Sequence, residues 1–242
     1  MTAVRSNTRS PTPSNVTYIG LVILMLILQA MEILLPLSIN QGQQVSWPVV
    51  IAAALLGWAG LSLSSRAGFP AMWVESVPSR KRFWIPVGLG AALGLVMVVL
   101  DRFNPMGVET QTPFPDSLLA SSLAGLVEEI LVHLFLTVVL VWLLSGVMLK
   151  DRGRTPVFWI VAIAIGLLYW ALQMSAIASF FPEKLSPALA LQMLLVIGTT
   201  ITLGAYVFRV GGFLAALSLR YGFYLIWHII WGGNIGLVRY LL

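Results

Sequence analysis

Residues 117–145 read SLLASSLAGLVEEILVHLFLTVVLVWLLS, and their only acidic or basic charges are the adjacent pair Glu128 and Glu129. A run this long and this apolar exceeds the ~20 residues a helix needs to cross a hydrocarbon core. Working outward, six more stretches qualify: Val16–Ser38, Ser46–Ser64, Trp84–Leu100, Val157–Phe181, Ala188–Phe208 and Phe213–Leu237. The composition agrees. Of 242 residues, 59% are hydrophobic and 10% charged, where a soluble domain carries about 25% charged residues. The sequence therefore predicts an all-α, polytopic transmembrane helical bundle of about seven spans.

The organisation expected along the chain is simple. Residues 1–15, rich in Ser, Thr, Pro and Arg, form a disordered cytoplasmic tail. Residues 16–83 hold two spans and one interfacial segment, and residues 84–242 form the membrane core. The first apolar run is too long for a signal-peptide core and lacks a small-residue cleavage site, so it reads as an uncleaved anchor. Ala67–Phe83 mixes Phe69, Met72, Trp73 and Val77 with Glu75 and the basic run Arg80-Lys81-Arg82. It reads either as an interfacial segment at anionic headgroups or as an ordinary basic loop. Gly90 and Gly94 form a GxxxG pair that lets helix backbones approach, within the bundle in preference to between chains.

Charge sets the expected orientation. With the N-terminus in the cytoplasm, ten Lys or Arg residues fall on the cytoplasmic side, three outside, and Arg220 within the membrane. That asymmetry follows the positive-inside rule and suits a multi-pass protein of the plasma (cytoplasmic) membrane. The net charge of +5 is thus read through topology, with the lipid bilayer as partner and no nucleic acid. There are no cysteines, so disulfides and thiolate metal sites are excluded.

Polar groups at membrane depth are the functional candidates, because an ionisable side chain there is costly unless paired or hydrated. Glu128 and Glu129 sit in the fourth span, with His133 one turn on from Glu129. Gln173 follows Tyr169 by one turn in the fifth. Arg220, Tyr224 and His228 recur at every fourth residue of the seventh. Side chains spaced in this way share a helix face, so three spans each offer one polar patch to a common interior.

These residues carry a resemblance. Ala120-Ser-Ser-Leu-Ala-Gly-Leu-Val-Glu128-Glu129-Ile-Leu-Val-His133 resembles the first motif of the CPBP intramembrane proteases, the family of CAAX prenyl endopeptidases and bacteriocin-immunity (Abi) proteins. That motif is Glu-Glu-x-x-x-Arg, and His133 stands at the Arg. Tyr169 and Gln173 occupy the positions of the second motif, Phe-x-x-x-His. Arg209-Val-Gly-Gly leads to the third, His-x-x-x-Asn or Asp, where Arg220 and Tyr224 stand instead, and His228 fits a further His found in some members. The resemblance spans about residues 84–232.

It implies that Glu128 activates a water for attack on a peptide carbonyl, with Glu129 beside it as the other catalytic acid. His133, Gln173, Arg220, Tyr224 and His228 would be binding residues of the same site. Arg220 departs most from the pattern. It carries a permanent charge, cannot shuttle a proton, and near the acids would form a buried ion pair between the fourth and seventh spans. Such a pair turns the site toward a structural role or a different substrate. No cofactor is expected, and the ligand spacing does not support a metal, because no His-x-x-x-His motif exists. Three functions stay open at this point. The first is an endopeptidase, weakened or intact, acting on a membrane-anchored or lipidated protein tail. The second is a non-catalytic scaffold or immunity-type protein that binds a membrane protein. The third is a small ion- or proton-coupled carrier.

Overall fold

The structure is a computed structural model that describes residues 13–39, 44–70, 72, 77–106 and 110–233. Among these residues the regular structure is entirely helical. Seven helices are long and apolar enough to cross a membrane. The first span is Pro13–Leu34 and the second Trp47–Ser64. The third is Arg80–Phe103, the fourth Asp116–Met148, the fifth Arg154–Phe180, the sixth Pro187–Gly211 and the seventh Phe213–Gly232.

The sequence explains where they start and stop. The first span ends at Leu34, short of the expected Ser38, because Pro36 disfavours helical geometry in the residue before it. Proline opens the second and sixth spans within their first turn, where its missing N–H costs nothing. At the sixth, the Ser186 hydroxyl also accepts from Leu189 N at 3.1 Å, capping the helix. Gly212 has φ 93, so the chain reverses between the sixth and seventh spans through a single non-helical residue. Of the expected tail, residues 1–12 lie outside the described residues, as do residues 234–237 at the expected end of the seventh span.

Glycines set the closest helix crossings. A Cβ on Gly90 would overlap the Leu219 carbonyl, one on Gly94 would meet Ile226, and one on Gly222 would overlap the Val87 carbonyl. The GxxxG pair therefore locks the third span against the seventh inside the bundle. The fourth and seventh spans also contain wider, π-helical stretches, at Ile130–Thr137 and Leu225–Gly232. Thr137 reflects that geometry, its hydroxyl donating to the Val132 carbonyl five residues back at 2.8 Å.

The segment read as interfacial divides in two. Phe69 and Met72 are buried in the main core, with the Phe69 ring 4.6 Å from that of Phe208. These side chains find better packing under the bundle than in headgroups. Trp73 and Glu75 lie outside the described residues. The basic run is the first turn of the third span, where Arg82 is buried and donates from Nη2 to the Val77 carbonyl at 2.9 Å.

Because the spans alternate in direction, residues 65–70, 72, 77–79, 149–153 and 211–212 share one end of the bundle. That end carries Arg66, Arg80, Lys81, Arg82, Lys150, Arg152, Arg154 and Arg209. The opposite end, to which residues 35–39, 44–46, 104–106, 110–115 and 181–186 belong, has Arg102 and Lys184 among its described residues.

Candidate functional site

The fourth span opens with small residues, and that opening builds the site. Gly125 lies under the rings of Tyr221 and Tyr224, so the seventh span can approach closely. Glu128 and Glu129 follow at once. Adjacent helical residues diverge by about 100° at 3.6 residues per turn, so the two carboxylates face different surroundings. Glu129 points into the bundle and its side chain is 1% exposed, whereas that of Glu128 is 28% exposed.

Glu129 is enclosed by two cationic or proton-bearing partners. Its Oε2 accepts from Arg220 Nε at 3.0 Å. Its Oε1 lies 2.6 Å from His133 Nδ1, a close contact without hydrogen-bond geometry. His133 reaches across to the sixth span, where its Nε2 lies 2.9 Å from the Ile201 carbonyl. A carbonyl only accepts, so Nε2 carries a proton. Gly204 leaves the room for that ring, because a Cβ there would run into His133 Cε1.

Arg220 joins the two acids. Its Nη1 lies 3.5 Å from Glu128 Oε2, and its guanidinium sits over the rings of Tyr224 at 5.7 Å and Tyr169 at 5.8 Å. The Tyr224 hydroxyl donates to the same Glu128 oxygen. One guanidinium thus bridges the two carboxylates across the fourth and seventh spans, the pairing that lets such groups be kept in a low-dielectric interior.

Glu128 also lines a cavity of about 400 Å³. Gln173, Tyr224, His228 and the buried Gln111 share its polar lining, Ala124, Val127, Ala176 and Trp227 contribute to its walls, and the exposed Gln44 and Ser46 to its rim. Of the residues singled out from sequence, Glu128, Gln173, Tyr224 and His228 meet at this cavity. Glu129, His133 and Arg220 form the charged layer behind Glu128.

Some residues of the site carried no sequence signal. Gln111, in the loop before the fourth span, accepts from His228 Nδ1 at 3.0 Å. Asp101 is buried at the end of the third span, where it accepts from Trp231 Nε1 and from Met106 N, each at 2.9 Å. Both stand at span ends, where a polar residue is ordinary. The Ile201 carbonyl is backbone and has no signature at all. Among the described residues no group of three His, Asp or Glu side chains is arranged to hold a metal ion.

Fold and site together define a multi-pass α-helical membrane protein with a charge-paired interior and a polar cavity beside it. No protein-family model, curated protein or solved structure matches the chain.

Proposed function

We propose that this chain is a membrane-embedded hydrolase of the CPBP kind, cleaving a peptide bond in a membrane-anchored or lipidated protein tail. One observation carries the reading: of two adjacent acids, Glu129 is locked between Arg220 and His133 while Glu128 borders a cavity. In this reading Glu128 takes a proton from a cavity water. The resulting hydroxide adds to the peptide carbonyl, and Glu128 returns the proton to the departing amine nitrogen as the C–N bond breaks. The Gln173 amide donates to the oxyanion. Tyr224 orients Glu128 through its hydrogen bond, and His228, held by Gln111, completes the polar lining. Arg220 acts as a fixed counter-ion in place of the family's proton-shuttling His, which makes for a slow enzyme.

The basic end faces the cytoplasm in this proposal, in keeping with the positive-inside rule, and places the protein in the plasma membrane. The test is cleavage of a panel of membrane-anchored tail peptides by purified protein in liposomes. Glu128→Gln is expected to abolish product while the protein stays folded. Undiminished cleavage by Glu128→Gln, or its absence from the unaltered protein, would overturn the reading.

A second reading rests on the same ion layer. The Glu129–Arg220–His133 contacts tie three spans together without needing a substrate, as suits a non-catalytic scaffold that binds a membrane protein. Absence of cleavage together with stable capture of a partner membrane protein would favour it.

A further inference from the structure

The cavity has a direction. Glu128 lies ~18 Å along its helix from Asp116, at 1.5 Å per residue, and further from the other end of the span at Met148. The loop residues that line the cavity, Gln44, Met106 and Gln111 among them, come from the end of the bundle opposite the basic turns. Among the described residues, none that lines the cavity belongs to 65–70, 72, 77–79, 149–153 or 211–212. The Glu129–Arg220–His133 layer lies behind Glu128, between the cavity and the rest of the core. The mouth also has an exposed apolar edge. Phe180, the last residue of the fifth span, lines the cavity and is 52% exposed.

We propose that the cavity takes its ligand from the extracytoplasmic side of the membrane, and that this ligand is the juxtamembrane segment of a membrane-anchored polypeptide reaching Glu128 past the Phe180 edge. The sidedness rests on the cavity's lining and on the charge asymmetry between the two ends. The polypeptide nature of the ligand rests on the hydrolase reading. A volume of about 400 Å³ is that of a small-ligand site, room for a short extended stretch and not for a folded partner. Apolar walls suit a chain still close to its lipid anchor, and the polar groups around Glu128 suit backbone amides.

The chain has no cysteine, so single-cysteine variants report accessibility without background. Gln44→Cys probes the rim, Ala124→Cys and Ala176→Cys probe the walls from two spans, and Arg152→Cys marks the basic end. The probe is a sulfonated, membrane-impermeant maleimide added to intact cells and then to permeabilised ones. Gln44→Cys and both wall variants are expected to react in intact cells, and Arg152→Cys only after permeabilisation. The proposal is overturned if the wall variants react only after permeabilisation, if both stay unlabelled in either state while Gln44→Cys reacts, or if Arg152→Cys reacts in intact cells. A second arm separates this from failure of the hydrolase reading. In proteoliposomes sorted for orientation, anchored tail peptides are presented on either face. Cleavage confined to the Gln44 face supports both readings, and cleavage confined to the Arg152 face overturns the sidedness. Labelling as expected with no cleavage on either face leaves the extracytoplasmic mouth standing, and removes the hydrolase and with it the polypeptide ligand.

Discussion

The two halves of the polar interior differ in kind, although identical residues head them. In the inner half, Glu129 is enclosed by Arg220 and His133, and His133 in turn contacts the Ile201 carbonyl. In the outer half, Glu128 is held by Tyr224 yet borders a cavity with Gln173 and His228. One residue's step around the helix separates a fully enclosed carboxylate from one that can meet a ligand. A site in a bilayer needs both conditions. Charge must be matched to be retained at depth, and some polar group must be left incompletely enclosed for chemistry or binding to occur.

The largest effect should come from breaking the inner half. Arg220→Met leaves Glu129 buried without its cation, and removing one partner of a buried pair costs about 3–5 kcal/mol. Thermal unfolding of the detergent-solubilised protein should show the loss. Adding Glu129→Gln should restore much of it, because the uncompensated charge is then gone. An unchanged Tm in Arg220→Met would mean that the inner half does not act as a closed ion layer. Gly204→Val comes next. Its side chain would occupy the space of the His133 ring, and overpacking of this kind costs about 1–3 kcal/mol. The same substitution at Gly88, where a Cβ meets nothing within 4 Å, is the control and should leave the unfolding curve nearly unmoved. Glu128→Gln should affect stability less than either, by no more than about 1 kcal/mol, since an amide can still accept from Tyr224. A loss as large as that of Arg220→Met would erase the distinction between the two acids.

Much of this arrangement was legible in the sequence, for identifiable reasons. Apolar run length exposed the spans, and four-residue spacing put Arg220, Tyr224 and His228 on one face. The cost of buried charge led to the pairing of the fourth and seventh spans. Other features depend on rotation and crossing geometry, which spacing leaves free. Nothing local distinguishes Glu128 from Glu129, because the choice is made by Gly125 admitting Tyr224 and Gly204 admitting His133. Phe69 and Met72 read as membrane-surface residues because an amphipathic stretch does not reveal whether lipid or protein covers it. The core underneath them is assembled from Phe158 and Phe208, far along the chain. Gln111 was invisible for a related reason: a polar residue in a loop acquires a role only when the fold brings a partner to it.

Gln111 gives the smallest effect and tests whether the outer half is held as well as open. Its Oε1 and His228 Nδ1 are 3.0 Å apart, and it is itself buried. Gln111→Ala removes that acceptor from the cavity lining and leaves the inner ion layer untouched. Interhelical polar contacts in membranes average about 0.6 kcal/mol, so the loss of stability should be near the limit of detection. The ring of His228, however, would lose the contact that orients it beside Tyr224, whose ring centroid is 4.6 Å away. In the proposed hydrolase this should appear as slower cleavage with little change in Tm, and Gln111→Glu, which keeps an acceptor, should recover part of the rate. A Tm loss as large as that of Gly204→Val would instead make Gln111 a structural tie. The outer half would then be as tightly built as the inner one, and openness at Glu128 would owe nothing to a looser surrounding shell.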